Sequence, residues 1–183
     1  MSADSIVINN EVVFPKSSLT ISAKTPVGNI ALKSFKPCLI LDQVSVWFFT
    51  ELFNFTGIAN GERPTGGLIQ ASNGKLYGGT TIGGASGDGC IFSFNYTTLV
   101  FTKIMDCNST NGNAIYGTPV IANDGKIYVS VAYSGTLAGG TIIKVDPATD
   151  SFTKVFDLHS TLHGYSAMGT LFKASDGKLY GTT

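Results

Sequence analysis

Arginine is almost missing from this chain: among 12 basic residues in 183, Arg63 is the single guanidinium and the rest are lysines. Only 13% of residues are charged, and the formal net charge is zero. Nucleic-acid binding needs a basic stripe, and carboxylate or phosphate recognition favours clustered guanidinium forks. Neither can be assembled here, so a nucleic-acid partner is excluded. Cysteine is scarce as well. Cys38, Cys90 and Cys107 are odd in number and contain no CxxC pair, which points to buried free thiols rather than a disulfide framework or metal site. The longest apolar runs, "CLIL" and "VWFF", fall far short of a membrane span, and no segment carries a helical period of 3.6. The opening "MSADSIVINN" has neither the basic start nor the apolar core of a secretory signal, which reads as a soluble protein made in a cytoplasm.

What is abundant is glycine, at 22 residues, together with threonine, valine, isoleucine and tyrosine. That mixture predicts strands joined by many turns. The strands repeat. "ASNGKLYGGT" from Ala71 returns as "ANDGKIYVSV" from Ala122 and as "ASDGKLYGTT" from Ala174. Gly74, Gly125 and Gly177 lie 51 and 52 residues apart, and Gly66, Gly117 and Gly169 keep the same intervals. "GCIFSFNYTTLVFTKIMDC" from Gly89 matches "GTIIKVDPATDSFTKVFDL" from Gly140, and "FTELFNF" from Phe49 is an earlier half-copy. A period near fifty residues marks stacked supersecondary units.

Each unit reads as four strands, shown by the second copy. "TPVIA" is followed by Asp124-Gly125, expected as a type I′ hairpin, and then by the alternating "KIYVSV". "GTIIKV" comes after a Gly-rich loop, Pro147 sits at the second position of a type I turn, and "SFTKVFDL" closes the unit. The predicted fold is all-β: β-propeller-type four-stranded blades, two of them full (66–107 and 117–158), with a partial blade at 169–183. A blade packs on both sides, which explains the apolar wording, and Gly78 and Gly79 are expected to let sheets approach closely. Three partial units cannot close a ring. The repeats in 49–183 are therefore expected to continue beyond residue 183, with mutual completion by several copies as the alternative.

The phrases "ASDGKLYGTT", "GGTIIKVDPATDSFTKVFDL" and "GTPVIANDGKIY" resemble the choice-of-anchor tandem repeat of the GloVer type, found in bacterial surface and secreted proteins. The resemblance covers about Phe49 to Thr183. The first copy departs from it: Asn95-Tyr96 stands for Asp-Pro, and Gly67 precedes Leu68 without a proline. It implies extracellular display on varied anchors and little about chemistry.

Residues 1–48 lie outside the repeat. Ile6 to Phe14 suggests a hairpin about Asn9-Asn10, and Leu19 to Ser22 and Ile30 to Leu32 suggest further strands. This stretch is read as a short N-terminal β module, either a closing strand for the propeller or an anchor to a larger body.

The chemistry-bearing residues favour structure. Acidic positions recur with the repeat, Asp106 with Asp157 and Asp124 with Asp176, which argues for turn chemistry rather than the paired carboxylates of glycoside hydrolysis. Ser175-Asp176-Gly177 lacks the spacing of a sialidase Asp box. "GGASGDG" from Gly83 misses the repeat calcium motif, and lone loop carboxylates bind calcium poorly. His159 and His163 are four apart, a metal spacing only on a helix. The Asn-x-Thr triplets at Asn54, Asn95 and Asn108 are read as chance products of a threonine-rich chain. No catalytic residue, metal or cofactor is expected.

What remains is the rim carrying the loops Ile82–Asp88, Asn108–Tyr116, Tyr133–Gly139 and Ser160–Met168. Its candidate contacts are Tyr116, Tyr133, His163 and Tyr165, for a sugar or a protein. The function expected is a non-catalytic display, adhesion or assembly module, in a virion appendage or on a bacterial surface. Its partners would be proteins held through residues 1–48, or a surface glycan; an oligomer is compatible. The alternative is a secreted glycan-binding or glycan-hydrolysing propeller with its active residues past position 183.

Overall fold

The computed structural model describes the backbone of residues 6–8, 11–13, 31–41 and 44–49 and the whole of residues 50–183. Among the described residues there is no helix. Strands β1 (Ile6–Ile8) and β2 (Glu11–Val13) form the expected hairpin, and β3 (Ala31–Leu41) pairs antiparallel with β4 (Val44–Asn54). The strand suggested at Leu19 to Ser22 lies outside the described residues. Of the short strand expected at Ile30 to Leu32, Ala31 and Leu32 begin the much longer β3, and Ile30 lies outside the described residues.

Two four-stranded antiparallel blades follow. The first runs β5 (Ile69–Gln70), β6 (Leu76–Gly79), β7 (Cys90–Asn95), β8 (Val100–Asp106). The second runs β9 (Val120–Ile121), β10 (Ile127–Val131), β11 (Ala138–Asp146), β12 (Ser151–His159). A last pair, β13 (Phe172–Lys173) with β14 (Leu179–Tyr180), repeats the inner half of a blade. Each is a meander with neighbours in chain order, the propeller-type blade that the repeat predicts.

The first expected turn differs from the sequence reading. Of the pair Asp124-Gly125, only Gly125 has a positive φ, at 72°. The Gly125 N–H donates to Ala122 O, and the Ala122 N–H donates to Lys126 O. The loop is therefore a three-residue type I turn with a left-handed glycine after it, not a two-residue type I′ turn. The physical reason is the Asp124 carboxylate, which accepts the Lys126 N–H at 2.9 Å and folds back over its own turn. Asn73 and Asp176 do the same for Lys75 and Lys178.

The backbone repeats even where the residues change. Arg63, Ala114 and Ser166 share a positive φ (55°, 64°, 73°), and so do Leu99 and Asp150 (58°, 53°). Equivalent bulges occur in both blades, with Ile104 of β8 extra opposite Ile91 and Phe92, and Val155 of β12 extra opposite Ile142 and Ile143. Such conformations cost non-glycine residues on the order of 1 kcal/mol each, so they recur only because the same blade geometry imposes them.

The core is the seam between blades. Tyr77, Ile91, Met105 and Cys107 of blade 1 pack with Ile127, Val129, Val131, Ile143 and Val145 of blade 2 in one buried cluster. On the other side of blade 1, Phe92 and Phe94 meet Phe53 and Phe55, and Phe53 stacks on Phe101 with ring centroids 4.2 Å apart. Gly79 permits the close approach that was expected: a Cβ there would be driven into Ile115, which comes from the loop joining the blades.

Candidate functional site

The rim loops do not hang free. After the second and fourth strands the chain is stitched to the neighbouring unit by main-chain bonds. The Ala114 N–H donates to Asp88 O at 2.8 Å, the Ile115 N–H to Thr80 O, and the Ala132 N–H to Ala114 O. Asn113 and Tyr133 exchange both N–H···O bonds across an isolated bridge. Side chains reinforce this. Asn113 Nδ2 donates to Asp88 Oδ1 at 2.7 Å, and Thr141 Oγ1 donates to Asn111 O at 2.6 Å. The loops are thus a rigid platform on which surface side chains are held in place.

Three of the four candidate contacts meet on that platform. Tyr133 lies between Tyr116 (ring centroids 6.1 Å, edge-to-face) and Tyr165 (6.0 Å, tilted). Such spacings lie in the range of favourable aromatic pairs. Tyr116 and Tyr165 are exposed and Tyr133 is half-buried between them. Partial desolvation, then the neighbouring Tyr116 hydroxyl, push the Tyr133 hydroxyl above its ordinary pKa, and it contacts Met168 Sδ at 3.9 Å.

His163 is not brought into the ladder. It sits in the turn after β12 with its ring on Phe156 (5.3 Å), and its Nδ1 accepts the His159 main-chain N–H at 2.9 Å. His159 Nδ1 is engaged in turn by Thr161. The two histidines hold a turn together, and no group of three metal-ligating side chains occurs among the described residues.

The carboxylates have repeated structural duties. Asp106 accepts the Ala85 N–H and pairs with Lys103; 51 residues on, Asp157 accepts the Thr136 N–H and pairs with Lys154. Each pins the loop after the second strand to the fourth strand of its own blade. Asp146 is held below the usual carboxylate range by Lys126, which bonds it at 2.6 Å, and Asp176 by the Lys178 N–H. Cys90 and Cys107 are buried, and burial raises both thiols above their ordinary pKa.

Sequence reasoning missed one cross-blade cluster. Tyr77 Oη donates to Asp150 Oδ1 at 2.6 Å, Lys75 Nζ pairs with Asp150 Oδ2 at 2.5 Å, and Asn73 Nδ2 donates to Pro147 O at 2.6 Å. Blade 1 grips the β11–β12 turn of blade 2 in this way. Burial first, then the bond to Asp150, push the Tyr77 hydroxyl up. The signal was in the sequence. Copies two and three have Asp124 and Asp176 where copy one has Asn73, and their tyrosines turn back onto those carboxylates (Tyr128 at 2.9 Å, Tyr180 at 2.8 Å). Asn73 instead donates to the Tyr77 hydroxyl at 2.9 Å, which leaves that hydroxyl's own proton for Asp150 of the neighbouring blade.

Blade-like sheets with recurring turns, bulges and seams define a tandem-repeat protein with propeller-type units. The Gloeobacter/Verrucomicrobia repeat matches residues 43–183, and the chain belongs to that family. The matched range takes in the whole of β4, which spans the boundary expected at 48/49. No curated protein matches the chain.

Proposed function

We propose that the chain is a non-catalytic repeat module whose rim binds a partner, serving display, adhesion or assembly in a virion appendage or on a bacterial surface. The observation that carries this reading is the tyrosine ladder. Tyr116, Tyr133 and Tyr165 stand at three non-equivalent positions of the repeat, where the other copies have residues such as Met168, Ile82 and Asn113. Recurring residues build the blade; these three do not recur, yet they converge on one hydrogen-bonded platform. Rigid, partly exposed tyrosines supply contact area at low entropic cost, for a sugar face or a protein.

The supporting negative is chemical. Asp88, Asp106, Asp124, Asp146, Asp150, Asp157 and Asp176 each hold a turn, a loop or a neighbouring blade, which leaves them engaged rather than facing a common substrate. The test is a glycan array probed with the intact protein and with Tyr133→Ala, with product analysis of every bound glycan. Binding that weakens about tenfold or more in the variant, with no turnover, supports the proposal; the size follows from loss of a central aromatic contact. Glycan cleavage would favour the hydrolytic alternative. Binding untouched by Tyr133→Ala would remove the ladder from the account.

A further inference from the structure

We propose that Asn73-Gly74 is a deamidation site held in check by the seam between the blades, and that its conversion to an acid undoes the cross-blade latch for good. The sequence holds three Asn-Gly pairs, Asn60-Gly61, Asn73-Gly74 and Asn111-Gly112. Glycine after asparagine leaves the main-chain nitrogen open to the preceding side chain, since no Cβ stands in the way. The reaction needs only base and water. The Gly74 nitrogen loses its proton and attacks Asn73 Cγ, the Cγ–Nδ2 bond breaks, and the departing nitrogen takes up a proton and leaves as ammonia. Water then opens the cyclic imide. Cleavage between Cγ and the Gly74 nitrogen gives aspartate; cleavage between the main-chain carbonyl carbon and that nitrogen gives isoaspartate. Nothing is oxidised or reduced: an amide and water become a carboxylic acid and ammonia.

Two features separate Asn73 from the other pairs. The first is access. Gly61 and Gly112 are buried, and a Cβ on either would run into side chains, Thr80 and Cys90 at Gly61, Val131 and Thr141 at Gly112. Gly74 is exposed, and nothing stands within 4 Å of the place its Cβ would take. Base can reach its N–H there, water can reach the imide, and the turn has room to rearrange. The second is what holds the amide. Asn60 Oδ1 accepts the Thr56 N–H and its Nδ2 donates to Asn54 O, while Asn111 Oδ1 accepts the Asn108 N–H and its Nδ2 donates to Asp106 O. Both are bound by their own stretch of chain. Asn73 Oδ1 takes the Lys75 N–H of its own turn, but its Nδ2 donates to Pro147 O of blade 2 and to Tyr77 Oη, itself bonded to Asp150 of blade 2. The glycine N–H is hydrogen-bonded in all three pairs, so it does not distinguish them. The Asn73 amide is free to turn onto the Gly74 nitrogen when blade 2 lets go.

The product works against the latch. The Tyr77 hydroxyl has one proton; it accepts from Asn73 and donates to Asp150. A carboxylate at position 73 has no proton to give Pro147 O or Tyr77, and it competes with Asp150 for the same hydroxyl proton. The turn itself accepts the acid, since Asp124 and Asp176 occupy that place in the other copies and bond Tyr128 and Tyr180 of their own unit. Deamidation thus brings copy one to the arrangement of the other two, with its tyrosine satisfied at home and its hold on the next blade lost. Isoaspartate adds a methylene to the main chain and displaces the turn as well. Ammonia escapes to solvent, so the change runs one way.

The experiment incubates the folded 183-residue protein at mildly alkaline pH and follows amide-to-acid conversion at Asn60, Asn73 and Asn111 by peptide mapping. Asn73 is expected to convert first in the parent. In Asp150→Asn and in Tyr77→Phe it is expected to convert about tenfold faster, the factor for one lost hydrogen bond of about 1.4 kcal/mol, with Asn60 and Asn111 unchanged. In urea the three rates should converge, because their surroundings are then alike. Asn60 or Asn111 leading in the folded parent, or an Asn73 rate that neither variant moves, would overturn the proposal. The order in the parent is read without any variant, so a variant that unfolds leaves the test standing. For the product, urea unfolding of Asn73→Asp should give a lower midpoint, and adding Asp150→Asn should then lower it less than it does in the parent. Equal losses would show that the acid leaves the latch intact.

Discussion

Consider replacing Asp150 by asparagine and Tyr77 by phenylalanine, singly and together. The Tyr77 hydroxyl is fully buried and gives its proton to Asp150 Oδ1 at 2.6 Å; the nearest other acceptor, Pro147 O, is 3.4 Å away. A hydrogen bond to a charged partner contributes about 1.5–3 kcal/mol. The Lys75 pair with the same carboxylate is partly solvated and adds about 0–1 kcal/mol. Asparagine keeps an acceptor and tolerates the positive φ of residue 150, so Asp150→Asn is expected to cost about 1–1.5 kcal/mol. Tyr77→Phe loses the bond outright, about 1.5–2 kcal/mol. Because both changes act on the same bond, one weakening it and the other removing it, the double variant should fall short of the sum by about 1 kcal/mol. Urea unfolding of the four proteins measures this. Additivity within about 0.3–0.5 kcal/mol would refute the cross-blade latch. The same bond has a pH signature. Tyr77 titrates higher in the folded protein than the ordinary value of about 10. Above that pH the folded state binds more protons than the unfolded one, so stability falls as pH rises from about 10 through the raised folded value. Tyr77→Phe should flatten part of that alkaline slope and leave stability below pH 9 (~1 unit under the ordinary value) parallel to the parent.

Gly79→Ala forces a Cβ into Ile115 and is expected to cost about 1–3 kcal/mol by overpacking; the second copy has Ser130 with Ala167 at the same two places, so Ile115→Ala should rescue part of the loss, and thermal unfolding showing full additivity would contradict the seam geometry. Asp106→Ala frees the Ala85 N–H and Lys103 together; hydrogen exchange at residues 83–89 is expected to accelerate by about tenfold or more, for a lost link of about 1.4 kcal/mol. Unchanged exchange there would show that the carboxylate does not hold the loop. Cys90 and Cys107 should resist a thiol reagent in the native protein and react on unfolding, since both are buried and their thiols are raised; peptide mapping that finds either labelled within minutes in buffer would show that its surroundings open readily in the folded protein.

Which parts of this architecture can be read from the residues depends on what repeats. Gly74, Gly125 and Gly177 announce the same turn because a left-handed residue is needed after each type I turn, and the interval alone then aligns every strand. The turn type itself differs from the local expectation. Asp-Gly suggests a type I′ pair, and only the side-chain bond from Asp124 to its own backbone selects the longer loop. The alternation in "KIYVSV" shows two faces but not what each will touch: Val129 faces the core between blades, whereas Ser130 gives its hydrogen bond to Gly169 O, 39 residues away. The rim was legible as a place and less so as a cluster. Tyr116, Tyr133 and Tyr165 are joined by bridges such as Asn113 to Tyr133, which no local pattern encodes, and His163 was drawn in by proximity in the chain although its ring turns back to Phe156. The latch was hidden for the opposite reason. It depends on one departure from the repeat, Asn73, and a reading built on what recurs passes over the position where a copy differs. In a duplicated fold, recurrence therefore marks what builds each blade, and singular residues mark what joins one blade to its neighbour or to a partner.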